Sequence, residues 1–506
     1  MRKYKSLQRE NINTDYHTRT MGELPLFPSL LDYNEETPKA PVIQVSFSKK
    51  NVEDEGIEKS ILELEKKYQN YLEVDYFLSR QLVSHQANKK RSVYRWYKYK
   101  EGFSADLIEY LFKKYEVTSG KIFDPFAGSG SALFSAKHLG FDSCGIELLP
   151  IGSELIEVRE QIENSVSNAD LTFMHEAIKD IPWTHCAPKL SLNELRITAG
   201  AYPPETKDLI LRYLTWLINI PETTKGIFRF ALLCILEKIS YTRKDGQYLR
   251  WDYRSGRKHG NTPFDKGQIF DFNDAIIDKL SEMIHDISGI ISNSKNKKTK
   301  INLHKGSCLE ILPKIDEKFD AIITSPPYCN RYDYTRTYAL ELALQGVDQD
   351  GLTRLRQSML SCTVENRQKD LISLNKDWKK VISIVDQQST LQKILTYLDQ
   401  KKENKELNND GIARMVRGYF YELACVIYEC GRVLRKDAPM IMVNDNVKYA
   451  GVAIPVDLIL SDIASSLGFD IEKVLVLPTG KGNSSQQMGS HGREALRKCV
   501  YIWKKN

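Results

Sequence analysis

Lys121-Ile122-Phe123-Asp124-Pro125-Phe126-Ala127-Gly128-Ser129-Gly130-Ser131 runs a short apolar strand into a glycine-rich turn. Its flanks decide the fold. Residues 132–139 carry helical apolar spacing and stop at Gly140, and the second apolar run, 143–146, ends in Glu147. Strand, turn, helix and strand in this order make half of a nucleotide-binding βαβ unit. Glycines let backbone approach a ligand, a helix N-terminus offers free N–H groups, and an acid about 20 residues on can take both hydroxyls of a ribose. Glu147 lies 19 residues after Gly128. Asp124, at the bottom of the turn, would repel a pyrophosphate and favours a ligand carrying an amino or sulfonium cation.

A second stretch, Phe319-Asp320-Ala321-Ile322-Ile323-Thr324-Ser325-Pro326-Pro327-Tyr328, takes an apolar strand, 321–323, into a rigid Pro-Pro turn that ends in an aromatic ring. In an open α/β sheet, ligands sit at such carboxyl ends. Taken alone, it also reads as a proline-rich exit loop with a surface tyrosine.

The rest of the 506-residue chain narrows the classes. Hydrophobic residues are 42% and charged residues 27%, near the globular average, so disorder or coiled coil does not describe the whole. Nine scattered cysteines, with no CxxC and no Cys/His cluster at ligand spacing, write neither a disulfide framework nor a metal site and suit a reducing cytoplasm. The start, MRKYKSLQRE, has no apolar stretch after its basic residues, and Arg229 and Glu237 break the most apolar helix-like run, so neither secretion nor membrane insertion is expected. Net charge is +6, unevenly spread. Segment 89–100 (KKRSVYRWYKYK) holds six Lys/Arg and no acid, and segment 241–258 holds six against two Asp. Interleaved with aromatics, both read as phosphate-and-stacking surface, with Arg243, Lys244, Arg250 and Arg254 as candidate DNA contacts. A solvated charged face with half-buried rings is the competing reading.

The paired motifs resemble the DNA amino-methyltransferases of restriction–modification systems, whose cofactor motif has the form DPFxGSG and whose catalytic motif is (D/N/S)PP(Y/F). The resemblance covers 103–150, 301–345 and about 411–506. It implies a Rossmann-like methyltransferase α/β sheet with helices on both faces, S-adenosyl-L-methionine as cofactor, and double-stranded DNA as substrate. It also implies a cytoplasmic enzyme of a bacterial or archaeal cell, with a cognate restriction endonuclease as a partner. Asp124, Pro125, Phe126, Gly128 and Gly130 then line the methionine end of the cofactor, Glu147 holds the ribose, and Phe103 lies near the carboxyl end. The family's Gly-Asp before the catalytic strand is replaced by Gly306-Ser307, which puts Ser307 at the adenine amino group. Ser325, Pro326, Pro327 and Tyr328 surround a flipped base.

The expected layout has an N-terminal arm and accessory helix at 1–84, the helix spanning about 51–84. The catalytic core is 85–150 with 301–347 and 411–506. A helical insertion, 151–300, is the candidate target-recognition region, and 348–410 is a second helical insertion. An αβ connection usually takes about 2–6 residues, so 151–300 has to fold as a unit. Helices are expected at 205–218, 225–239 and 272–291, and later at 455–467, with a strand at 440–443 and a final strand, 498–503, closing the sheet.

An exocyclic amine is a poor nucleophile until its lone pair is localised. Ser325 Oγ and the Pro326 carbonyl can accept its two protons, and Tyr328 can stack on the extruded base. Methylation at carbon 5 of cytosine would need a thiolate, normally in a Pro-Cys pair, and the chain has none; Cys329 reads as packing. Ser at the first motif position favours N4 of cytosine over N6 of adenine by family tendency. An RNA guanine-N2 methyltransferase and a non-catalytic nucleic-acid-binding protein stay open as alternatives. The first would usually show Asp there and an N-terminal RNA-binding domain, which 1–90 does not show.

Overall fold

The computed structural model describes residues 52–99, 102–245, 248–257, 263–292, 299–478 and 496–506. The arm 1–50, together with Lys100 and Lys258 of the two basic segments, lies outside the described residues. Eight strands form the central sheet: β1 (Leu72–Val74), β2 (Lys121–Asp124), β3 (Asp142–Glu147), β4 (Ile301–Lys305), β5 (Ala321–Thr324), β6 (Pro439–Asp445), β7 (Phe469–Val476) and β8 (Lys498–Lys505). Their order is β1-β7-β8-β6-β5-β2-β3-β4, and all neighbours are parallel except the two pairs that β8 makes.

β2 and β5 carry the two motifs and lie side by side, with Ile122 opposite Ala321 and Phe123 opposite Ile322. From β2 the chain moves outward through β3 to β4, then returns to start the other half at β5, so both motif loops leave the sheet where the winding reverses. That is where an open α/β sheet binds ligands.

Residue alternation along the strands sorts the side chains into two cores. Ile122, Ile323, Ile441 and Val443 face helices Ala105–Lys114 and Ser131–Leu139. Phe123, Ile322, Met440 and Met442 face helices Ile412–Val433 and Val456–Ser466 on the other side. Ser104 caps the first of these helices, accepting the Leu107 N–H at 3.2 Å.

Two expectations are corrected. The accessory helix ends at Tyr68, and β1 follows it, pairing in parallel with β7 at the sheet edge. The segment read as continuous helix therefore supplies a catalytic-sheet strand, because Leu72-Glu73-Val74 finds an open edge in the last third of the chain. The final strand does not close the sheet either; β8 lies inside it, antiparallel between β7 and β6.

Residues 151–300 build helices Pro150–Ser165, Asn168–Asp180, Pro204–Leu217, Glu222–Ile239 and Phe272–Ser292, close to the expected spans, but around an apolar core shared with Trp96, Tyr97, Tyr338 and Leu340, so they do not fold as a unit of their own. They also contain an unexpected two-stranded antiparallel ribbon, Thr242–Asp245 with Tyr248–Trp251. Residues 348–410 are helical as expected, but Trp378, Val381, Leu391 and Ile394 sit in the same core as Met440 and Trp503, so these helices are part of the sheet's cover. Among the described residues no helix is long and apolar enough to cross a membrane.

Candidate active site

β2 delivers Asp124 to the sheet's carboxyl edge with 1% of its surface exposed. Its Oδ1 accepts from Thr324 Oγ1 at 2.6 Å and from the Phe126 N–H at 3.0 Å, so the last residue of β5 is tied to the last residue of β2. The turn then runs through Gly128 (φ +54°) and Gly130 (φ +75°), in the left-handed region where glycine is favoured. A Cβ on Gly128 would stand 3.1 Å from the Tyr99 ring, and one on Gly130 would stand 2.7 Å from Ile156 Cγ1. Glu147, at the end of β3, is buried and clamps this turn from the side. One carboxylate oxygen accepts the Gly128 N–H and the other the Leu149 N–H, each at 2.7 Å.

Burial pushes the Asp124 carboxyl up to about 7 and that of Glu147 up to about 8; in both, bonds from hydroxyl or backbone N–H groups oppose the shift. Burial thus holds both acids at the glycine turn well above the ordinary carboxylate range.

Between them opens a cleft. Phe103, Asp124, Pro125, Phe126, Gly128, Glu147 and Ser307 all line it, as do Ser325 and Pro327. Gly130 lies beneath the turn, and Pro326 and Tyr328 flank the cleft rather than line it. Ser307 donates to the Ser358 carbonyl at 2.9 Å, which ties the start of a short helix to the second insertion. Ser325 Oγ donates to the Tyr328 hydroxyl at 3.2 Å. Tyr449 donates its hydroxyl to the Cys329 carbonyl at 2.8 Å, pinning the backbone just after the motif. Cys329 is fully buried and burial pushes its thiol well up, which fits packing and opposes a thiolate role.

Leu148, Leu149, Tyr334, Met359 and Leu360 also line the cleft, unmarked by any sequence motif, as does Tyr99, whose reading from sequence is as part of the basic-aromatic surface. Leu148 and Leu149 follow Glu147 directly and could have been named as an apolar wall. Tyr99 stacks on Tyr338 with ring centroids 5.3 Å apart, a contact across 239 positions that no local pattern signals.

The basic segments need correction. Trp96, Tyr97 and Tyr99 are buried and Tyr94 is half-buried, and Arg95 pairs with Asp286 and Glu282, so three of the four rings of 89–100 pack inward, Tyr99 against the cleft. Lys244 is buried too, paired with Glu341 and bonded to the Tyr97 hydroxyl, which removes it from the candidate DNA contacts. Arg254 spends its guanidinium on both oxygens of Asp252 and on the Gly267 carbonyl. Arg243 and Arg250 remain exposed.

No family model matches the chain. It is 54% identical over 448 residues to the Type II methyltransferase M.AvaI of Nostoc sp. and to that of Anabaena variabilis, covering 87% of this chain and 92% of theirs. The chain belongs to the Type II methyltransferases. A third relative, the Type II methyltransferase M.BsoBI of Geobacillus stearothermophilus, is 43% identical over 470 residues, 88% of this chain and 92% of its own. Type II methyltransferases of restriction–modification systems act on double-stranded DNA and take their methyl group from S-adenosyl-L-methionine. The cleft fits that cofactor. It joins a glycine turn and two buried acids to the Ser-Pro-Pro-Tyr loop.

Proposed function

We propose that this Type II methyltransferase methylates the exocyclic N4 of a cytosine extruded from duplex DNA, with Ser325, Pro326 and Tyr328 acting on the base. The observation that carries the reading is the position of Ser325: it lines the same cleft as Asp124 and Glu147, with its hydroxyl turned to Tyr328. Ser at the first motif position supports cytosine, following the tendency of the amino-methyltransferases that the motif resembles.

The bound cofactor supplies an electrophilic methyl group. Glu147 accepts from ribose hydroxyls with the lone pairs that its two backbone bonds leave unused, and Asp124 faces the cationic end. Ser307 and the apolar Leu148 and Leu149 wall the adenine end. Ser325 Oγ and the Pro326 carbonyl accept hydrogen bonds from the two amine N–H groups, which localises the nitrogen lone pair along the transfer line, and the methylated nitrogen then loses one proton to solvent. Tyr328 stacks on the base and offsets part of the unstacking cost. The bond from Tyr449 to the Cys329 carbonyl keeps these acceptors in register. DNA modified in this way resists an endonuclease acting on the same site, the partner that this reading implies.

The test is to digest DNA from cells expressing the protein to nucleosides and identify the methylated base by mass spectrometry. N4-methylcytosine is expected. N6-methyladenine would overturn the base assignment while leaving the transfer reaction intact.

A further inference from the structure

We propose that the ribbon Thr242–Asp245/Tyr248–Trp251 is the element that grips the DNA duplex, through the cross-strand pair Arg243 and Arg250. The inference rests on the methyltransferase reading and adds a surface to it. Alternation splits the ribbon cleanly. Thr242, Lys244, Leu249 and Trp251 are buried on the inner face, while Arg243 and Arg250 are exposed on the outer one. The register sets those two arginines directly opposite each other. Like charges in that position work against a sheet, and the exposed Asp245, 3.4 Å from Arg250, is a weak counterweight. A polyanion lying across the outer face relieves the repulsion.

The inner face shows how firmly the ribbon is aimed. The Lys244 ammonium is bonded to Glu341 and to the Tyr97 hydroxyl and lies 4.6 Å from the Tyr338 ring centroid. A slip of one residue would bury an arginine and expose this lysine, so the ion pair pins the register that turns Arg243 and Arg250 outward. Glu341 belongs to helix Ala339–Leu344, which continues from helix Tyr334–Thr337 just after the Ser-Pro-Pro-Tyr loop. The second strand of the ribbon packs against that same Tyr334–Thr337 helix, and Tyr334 lines the cofactor cleft. A duplex held on the outer face is thereby held beside the catalytic loop. A two-stranded ribbon is narrow enough to enter the major groove, where arginine meets guanine edges or the flanking phosphates.

The test compares wild type, the Arg243→Ser/Arg250→Ser double variant, and a charge-matched control, Lys473→Ser/Lys504→Ser, placed on two sheet strands. Fluorescence anisotropy with a labelled duplex carrying the site mapped for wild type, and with a scrambled duplex, is read from 50 to 200 mM salt. The ribbon variant is expected to bind the mapped duplex at least tenfold more weakly. Its salt slope should be shallower by about 0.9 for each phosphate that is no longer neutralised, or its preference for the mapped over the scrambled duplex should shrink. The control keeps wild-type affinity, slope and preference, and all three proteins bind S-adenosyl-L-methionine equally. A double variant matching wild type in affinity, slope and preference overturns the ribbon assignment. Wild type that transfers no methyl to duplex DNA would instead overturn the methyltransferase reading beneath it.

Discussion

Cofactor affinity should rise steeply between pH 6 and pH 8, because the two acids at the glycine turn are protonated at the lower value and have to be charged to serve a cationic, hydroxyl-rich ligand. Asp124 titrates at about 7 and Glu147 at about 8, both raised by burial. If binding takes the ionised form, moving from pH 6 to pH 8 relieves a protonation penalty of about tenfold at Asp124 and about fiftyfold at Glu147. The α-amino group of the cofactor, with an ordinary pKa of about 7.7–8.0, takes back at most about threefold at pH 8. At pH 7 both carboxyls still hold part of their protons, so roughly one proton is released per cofactor bound. The stability of the unliganded protein runs the opposite way. A folded pKa above the ordinary carboxylate value favours the folded state at low pH, and that contribution is lost as pH rises towards 7 and 8. Calorimetric titration at pH 6, 7 and 8, in buffers of different ionisation enthalpy, measures affinity and proton release together. Glu147→Gln should remove the larger share of both. A flat affinity profile with no proton released at pH 7 would refute the reasoning.

Four further outcomes are expected. Gly152→Ala should weaken cofactor binding at least tenfold while leaving the far-ultraviolet circular dichroism unchanged, because its Cβ would stand 2.6 Å from the Gly128 carbonyl oxygen and 2.8 Å from Glu147 Cδ. Ser325→Ala should slow single-turnover transfer by about 10²–10³, the usual worth of one positioned hydrogen bond in a transition state, with cofactor affinity unchanged. Tyr328→Ala should also weaken DNA binding, by about 1–3 kcal/mol. Tyr449→Phe leaves the buried Cys329 carbonyl without its 2.8 Å donor, at a cost of about 1–3 kcal/mol, and should lower kcat with little change in the KM for cofactor.

What could be read from sequence was what is written locally. Asp124, Gly128 and Glu147 fall within one strand-turn-helix-strand run, so composition and spacing alone bring them to one cleft. Ser325 to Tyr328 follow a strand whose end is visible in the same way. The ribbon shows where this stops. Its inner lysine meets Glu341, 97 positions later, and before that partner is known Lys244 and Arg243 look equally available. Likewise β1 pairs with a strand about 400 positions away, and Met359 and Leu360 reach the cleft from a segment that carries no motif. Alternation tells which residues of a strand share a face; it does not name the neighbour. For that reason the two motifs stand out, while nothing local tells that the rings of Trp96 and Tyr97 turn inward.

The position of β8 has a consequence for how the enzyme is made. A ribosome releases the chain from its N-terminal end, and β6 and β7 emerge with a gap between them that only Lys498–Lys505 can fill. β1 waits longer still, since its one partner strand is β7. The half of the sheet that holds the glycine turn can form early, and β6 can join β5 by residue 445, whereas β7 and β1 are linked to them only when residue 505 has been synthesised. Pairings this distant in sequence fold slowly and leave strand edges open in the meantime. A cell producing this enzyme therefore carries nascent chains able to assemble the cofactor turn before the sheet behind the catalytic loop is complete, and the interval grows with translation time.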